Sequence, residues 1–135
     1  MTVIDTSGVV DFLLGVGAAP QVEVLLADEI ELAAPDLLIF EVLAVLRREV
    51  ARDGLTEARA TAAIDDLGDL QLALFPTLPL RSRAWQLRSN LTAADAIFVA
   101  LAEHLGEPLA TKDEPLARAA SDQTGLAVIA LRGGV

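Results

Sequence analysis

Short, almost wholly apolar runs alternate along this chain with longer segments of helical length. The short runs lack the regular polar alternation of half-exposed strands, which is typical of strands buried on both faces of a sheet. We predict strands at residues 3–4, 30–34, 71–75, 109–111 and 127–131. The alternation predicts an α/β fold, a three-layer sandwich in which helices flank a central, mainly parallel sheet.

Glycine, proline and threonine residues mark the expected helix boundaries. Gly54 ends one predicted helix and Thr56 can cap the next, while Gly106 and Pro108 close another. A further helix is expected to begin near Asp36. The chain has no internal repeat or linker, and its 135 residues, 53% of them hydrophobic, suit one domain over residues 1–135.

Four carboxylates stand in or beside segments that the pattern assigns to the core. Asp5 and Asp113 follow predicted strands, and Asp95 opens a predicted helix. Glu41 interrupts an apolar helical segment. Because ligands of open α/β sheets bind at the carboxyl ends of the strands, we expect the four acids to converge on one concave site.

Helix capping is an alternative explanation for three of these acids. Asp5 can cap the helix that follows the first strand. Asp95 matches a capping box that starts at Thr92, and Glu114 matches one that starts at Thr111. For each acid taken alone, capping is the better explanation, so the functional hypothesis depends on the four occurring together.

Glu41 is the acid that capping cannot explain. It lies in the second turn of the helix that begins near Asp36, and it should point inward or toward the edge of the crevice. We expect it to share a sheet-facing side with Leu37, Leu38, Ala44 and Val45. A carboxylate there carries a desolvation cost, and a divalent cation shared by the four acids would offset it.

The residue types favour metal-dependent hydrolysis over other chemistry. Carboxylates are hard oxygen ligands suited to Mg²⁺ or Mn²⁺, and two of them about 4 Å apart repel by roughly 4 kcal/mol in a protein-like dielectric. The single histidine, His104, is expected to complement the dipole at a helix end rather than to catalyse. Trp85, the single tryptophan, is expected to pack in the core.

Composition excludes several classes of function. With no cysteine, the chain cannot form a disulfide, a thiolate zinc site or a thiol nucleophile. A net charge of −10 argues against loose, charge-driven binding to nucleic acid. Bound metal ions or local arginines would have to offset the repulsion from such a substrate, but we expect the arginines to form ordinary solvated helix faces; they are Arg47, Arg48, Arg52, Arg81, Arg83 and Arg88. The N-terminus lacks the pattern of a signal peptide and no apolar stretch is long enough to span a membrane, so we expect a cytoplasmic protein.

The four acidic motifs together resemble those of PIN-domain ribonucleases, specifically VapC toxins of bacterial toxin–antitoxin pairs. Residues 3–7 resemble the opening strand with the first acid, and residues 35–42 the helix with the second. Residues 91–103 and 106–113 match the third and fourth acids in order and spacing. The resemblance implies a metal-dependent endoribonuclease that a cognate antitoxin inhibits.

The same resemblance implies roles for individual residues. Asp5, Glu41, Asp95 and Asp113 would be the catalytic and metal-binding acids, and Thr6, Ser7 and Thr111 would hold them or bound waters. Two rival classes remain open, a receiver-like or phosphatase-like acid-cluster protein and a non-catalytic binding domain. The abundance of apolar residues, with the acidic site, further predicts a homodimer and an antitoxin that inserts a basic residue.

Overall fold

The computed structural model describes residues 1–132, so the last three residues of the predicted domain 1–135 lie outside the described residues. The strands are β1 (Thr2–Ile4), β2 (Leu32–Pro35), β3 (Leu72–Phe75), β4 (Leu109–Thr111) and β5 (Val128–Ala130). The helices are α1 (Thr6–Leu14), α2 (Ala19–Ala27), α3 (Leu37–Ala51), α4 (Glu57–Asp69), α5 (Arg81–Gln86), α6 (Ala93–Leu105) and α7 (Glu114–Thr124), with a 3₁₀ turn at Leu78–Leu80 before α5.

The strands form a sheet in the order β3-β2-β1-β4-β5, and every neighbouring pair is parallel. The expected α/β sandwich is therefore confirmed. Each predicted strand is present, with boundaries that differ from the prediction by two residues or fewer. Parallel neighbours need long crossover connections, and the helices between the strands supply them.

The chain reverses its direction of travel across the sheet at β1. It runs from β1 through β2 to β3 by way of α1 to α4, and then returns to β4 and β5 on the other side of β1. Right-handed crossovers that run in opposite directions place their helices on opposite faces of the sheet. Accordingly α1 packs against α2, α3 and α4, while α6 packs against α5 and α7. The reversal separates the loops that leave β1 and β4, which opens a crevice between them.

The core lies between the sheet and the two helical layers. Central strand residues are fully buried, including Val3, Ile4 and Leu109. Gly106 ends α6 in the left-handed conformation with a φ of 66°, and the Thr56 side chain accepts a hydrogen bond from the Arg59 backbone N–H at the start of α4. The predicted helix boundaries at these positions are thus confirmed, and their cause is local capping chemistry.

Of the two predictions about single side chains, the one for Trp85 was wrong and the one for His104 was confirmed. The prediction that Trp85 packs in the core was wrong, because its ring lies on the outer side of the six-residue helix α5 and 66% of the residue is exposed. The guanidinium of Arg88 lies over the indole, 4.4 Å from its centroid. His104 lies exposed in the last turn of α6, as predicted, where a cation complements the helix dipole.

Within residues 1–132, no single helix is both long and apolar enough to cross a membrane. α1 and α2 reach the required length and composition only when they are counted together, and they are bent by 94° against each other. Both helices contribute buried residues to the core described above, among them Val9 and Val22.

Candidate active site

A crevice of about 430 Å³ opens at the carboxyl edge of the sheet, beside the loops that leave β1 and β4. The four predicted acids all line it: Asp5, Glu41, Asp95 and Asp113. The remaining lining residues are Thr6, Ser7, Val10, Asp11, Phe40, Ala44, Val45, Arg48, Phe98 and Lys112. Residues from both helical layers thus meet at the point where the chain reverses across the sheet.

Asp5 is the most buried of the four acids, with 7% of the residue exposed. It caps α1, and its Oδ1 accepts hydrogen bonds from the Gly8 backbone N–H and the Ser7 hydroxyl, both at 3.0 Å. The Thr111 hydroxyl donates to Oδ2. Burial raises the pKa of Asp5 above its ordinary value, the three donors oppose that rise, and the negative charge of Asp113 adds to it.

The turn after β4 holds Thr111 and Asp113 in a different arrangement from the predicted capping box. Asp113, not Thr111, caps α7, and its Oδ1 accepts from the Leu116 backbone N–H at 3.0 Å. The Thr111 hydroxyl accepts from the Asp113 backbone N–H and donates across the sheet to Asp5. The predicted box with Glu114 was wrong because Thr111 is still the last residue of β4, where its side chain faces β1.

Glu41 lies half-buried in the second turn of α3, as predicted. Its Oε1 accepts a hydrogen bond of 2.6 Å from the Thr6 hydroxyl at the start of α1. The buried stripe of α3 is Leu38, Val42 and Leu46, so Leu38 is sheet-facing as predicted. Ala44 and Val45 share the side of Glu41, as predicted, but that side lines the crevice. Glu41 therefore lies beside that stripe and faces the crevice, where Thr6 sets its orientation.

Asp95 is the third residue of α6, whose N-cap is Thr92, as the capping box predicted. Partial burial raises the pKa of Asp95, and the hydrogen bond from the Thr92 side chain opposes that rise. The charges of Asp113, Asp5 and Glu41 raise the pKa further. Thr92 thus caps α6 through the Asp95 backbone N–H, while the Asp95 carboxylate lines the crevice, where the negative charges of the three other acids act on it.

The carboxylate oxygens that line the crevice are suitable ligands for a hard divalent cation. A carboxylate has about four lone-pair sites, of which Asp5 uses three for hydrogen bonds. Within residues 1–132, hydrogen bonds reach only one oxygen of Glu41 and one of Asp113. In the same residues, no three acids already stand close enough to hold one ion. Coordination of one ion by several of these acids would therefore need side-chain movements or bridging waters.

Three charged residues in the crevice were not predicted as site residues: Asp11, Arg48 and Lys112. Asp11 is buried in α1 and its Oδ2 lies 2.7 Å from the Lys112 ammonium. The signal for Asp11 was present in the sequence, because it interrupts the apolar run of α1 as Glu41 interrupts that of α3. The signal for Lys112 was only its position beside Asp113.

Comparison with known proteins agrees with this geometry. The PIN domain family model matches residues 2–122. The chain is 45% identical over 118 residues to ribonuclease VapC1 of Mycobacterium tuberculosis, which covers 87% of this chain and 89% of that protein.

Two solved structures share the fold. PAE2754 from Pyrobaculum aerophilum superposes with a TM-score of 0.69 at 24% identity, covering 95% of this chain and 82% of that one. VapBC2 from Rickettsia felis, crystallised bound to a DNA fragment from their promoter, gives a TM-score of 0.68 at 12% identity over 94% of this chain and 96% of that one. The extent of the family match and the identity to VapC1 decide the assignment: the chain belongs to the PIN-domain family, as a VapC-type member.

Proposed function

We propose that this protein is a metal-dependent endoribonuclease and the toxin of a type II toxin–antitoxin pair. The observation that carries the proposal is the convergence of Asp5, Glu41, Asp95 and Asp113 on one crevice in a VapC-type PIN domain. The relatives that bear the name ribonuclease VapC support RNA as the substrate. A cytoplasmic location, where cellular RNA is present, is part of the same proposal.

The four acids would hold Mg²⁺ or Mn²⁺ and so act as both metal-binding and catalytic residues. When bound, such an ion would supply Lewis-acid chemistry that favours attack of water on the phosphodiester bond. The protein's own contribution is positioning. Ser7 and Thr111 orient Asp5, and Thr6 orients Glu41, so the acids face the substrate in defined rotamers.

The burial of two of these acids explains why a cation would bind well. Burial and neighbouring charge raise the pKa values of Asp5 and Asp95, so their ionised forms are destabilised without a counter-charge. A cation removes that destabilisation, which makes its binding more favourable than binding to four solvated carboxylates. A basic side chain of an inhibitor would remove the same destabilisation if it occupied the crevice.

The proposed partners are RNA, a cognate antitoxin and a second copy of the chain. An antitoxin with an arginine or lysine in an amphipathic segment would complement the acidic crevice and the net charge of −10. Exposed apolar residues on α3, Phe40 and Leu43, offer contact area for a partner. VapBC2 from Rickettsia felis was crystallised bound to a DNA fragment from their promoter, and this complex supports a partner of this kind.

The direct test is cleavage of total cellular RNA by the purified protein. We expect cleavage with Mg²⁺ or Mn²⁺, none with EDTA, and loss of cleavage in Asp5→Asn, Asp95→Asn and Asp113→Asn proteins that remain folded. The matched control is Asp36→Asn, because Asp36 is exposed, makes no capping hydrogen bond and lies outside the crevice lining. Metal-independent cleavage, or equal activity of Asp95→Asn and Asp36→Asn, would refute metal-dependent catalysis by these acids. No cleavage by the native protein with either metal would leave a binding domain as the better explanation.

A further inference from the structure

A buried acid holds a lysine at the wall of the acidic crevice. The Lys112 ammonium lies 2.7 Å from Asp11 Oδ2, in a pair whose lysine side chain is 37% exposed and whose aspartate side chain is 9% exposed. The same Oδ2 accepts a hydrogen bond of 2.9 Å from the Ala18 backbone N–H. Asp11 therefore joins α1, the turn before α2 and the turn after β4 at one point.

The turn before α2 is shaped around this carboxylate. Gly17 has a φ of 51°, and a Cβ at this position would approach Asp11 Oδ2 to 2.2 Å. A larger side chain at position 17 would displace the Asp11 carboxylate. Glycine lets the backbone pack directly against that carboxylate. The rotamer of Asp11 is consequently restricted, and with it the position of the Lys112 ammonium.

Lys112 differs in this respect from the other cation of the crevice. Arg48 also lines the crevice, from α3, but no ion pair involving it occurs within residues 1–132. An unanchored lysine loses considerable rotamer freedom when it binds a ligand. Lys112 has already lost much of that freedom in the free protein, as expected of a group prepared for a ligand rather than for solvent.

We propose that Lys112, positioned by Asp11, binds a phosphate of the RNA strand at the bond that is cut or next to it. The inference rests on the proposed ribonuclease function. An ammonium has three donors, so it can keep its contact with Asp11 while it donates to a phosphate oxygen. Lys112 precedes Asp113 in the chain and lines the same crevice, which places its charge beside the acids that would otherwise repel the phosphate.

The simpler explanation is that the ion pair only ties two turns together, and substitutions can separate the two roles. Lys112→Met removes the charge and keeps the apolar stem, and Lys112→Arg keeps the charge. Arg118→Met is the matched control, because Arg118 is an exposed cation of α7 outside the crevice lining and its loss changes the net charge equally. Asp11→Asn keeps an acceptor for the Ala18 N–H and removes the charge that holds the lysine.

Binding of a labelled single-stranded oligoribonucleotide of about 12 nucleotides should be measured with Mg²⁺ over a salt series, on an Asp95→Asn background that leaves the RNA intact. We expect Lys112→Met to weaken binding roughly tenfold, the effect of one charge-assisted contact, and to reduce the slope of log affinity against log salt by about 0.7. Lys112→Arg should retain most of the affinity, and Arg118→Met should leave the slope unchanged.

Cleavage kinetics on the otherwise native protein give the second readout. We expect Lys112→Met and Asp11→Asn to raise KM for RNA while kcat changes little, since the contact forms on binding. Unchanged KM and salt slope in Lys112→Met, or an equal effect of Arg118→Met, would overturn the inference and leave the pair as a structural tie. If the native protein cuts no RNA at all, the proposed function has failed; if it cuts RNA and Lys112→Met is normal, only this inference has failed.

Discussion

Replacement of Thr111 by valine should destabilise the protein, and by an amount that depends on pH. Thr111 is 1% exposed and its hydroxyl donates to the buried Asp5 carboxylate. Valine has nearly the same shape but no hydroxyl, so Asp5 Oδ2 loses its donor and the Asp113 backbone N–H loses its acceptor. A hydrogen bond to a charged group contributes about 1.5–3 kcal/mol, and an unpaired, partly buried N–H costs about 1 kcal/mol more.

The free energy of unfolding should therefore fall by about 3 kcal/mol at neutral pH. For a chain of 135 residues, 1 kcal/mol corresponds to about 4 °C in Tm, so the expected shift is roughly 12 °C. The variant also lacks one of the donors that oppose the rise in the pKa of Asp5, so its folded-state pKa should exceed that of the native protein. When the folded-state pKa of a carboxyl group is raised, the ionised group destabilises the fold at pH values above that pKa. The effect disappears at pH values where the group is protonated in both the folded and the unfolded protein.

The difference in stability between Thr111→Val and the native protein should accordingly be greatest near neutral pH. It should shrink as the pH falls through the interval between the two folded-state pKa values of Asp5, both of which lie above 3.8. Chemical unfolding in EDTA buffers from about pH 7 to about pH 4 measures this, because EDTA removes any bound metal. Thr111→Ser is the control, since it keeps the hydroxyl and loses one buried methyl group, worth about 1 kcal/mol. If the Thr111→Val destabilisation is independent of pH, or no larger than that of Thr111→Ser, the hydroxyl does not act on an ionised Asp5.

Three further predictions concern charge, toxicity and assembly. Asp95→Asn should raise the Tm of the metal-free protein near neutral pH by a few degrees, because it removes a carboxylate whose pKa is raised by burial and by Asp113. The gain should vanish below about pH 4, where both proteins are uncharged at this position, and thermal unfolding in EDTA checks it. Expression of the native protein alone should slow bacterial growth and Glu41→Gln should relieve the inhibition; equal toxicity at matched expression would argue against a catalytic role for Glu41. Light scattering at micromolar concentration should show a homodimer that also binds the product of the adjacent antitoxin gene, and a strict monomer that ignores that product would contradict both parts.

Local sequence patterns were sufficient to predict the strands, several helix ends and the position of the acids along them. Buried parallel strands require continuous apolar runs, and each predicted run appears as a strand. The edge strands β3 and β5 are only partly buried, contrary to the prediction, because each has a neighbour on one side only. Helix ends require particular capping residues, so Thr56, Thr92 and Gly106 could be recognised from neighbours within a few positions. Trp85 could not be placed in the same way, because its exposure depends on which side of the short α5 meets the core.

The partners of the acids depend on the order of the strands rather than on local sequence. Thr6 lies 35 residues from Glu41, Lys112 lies 101 from Asp11, and Thr111 lies 106 from Asp5. No periodicity or capping motif extends over such distances, and β1 meets β4 only because the chain reverses across the sheet. The sequence by itself thus determined that acids would stand at the carboxyl ends of buried strands. The resemblance had implied Thr6, Ser7 and Thr111 as supporting residues. Only the tertiary structure decided which acid Thr6 and Thr111 each contact and which lysine stands beside the acids, because those contacts form between segments that folding alone brings together.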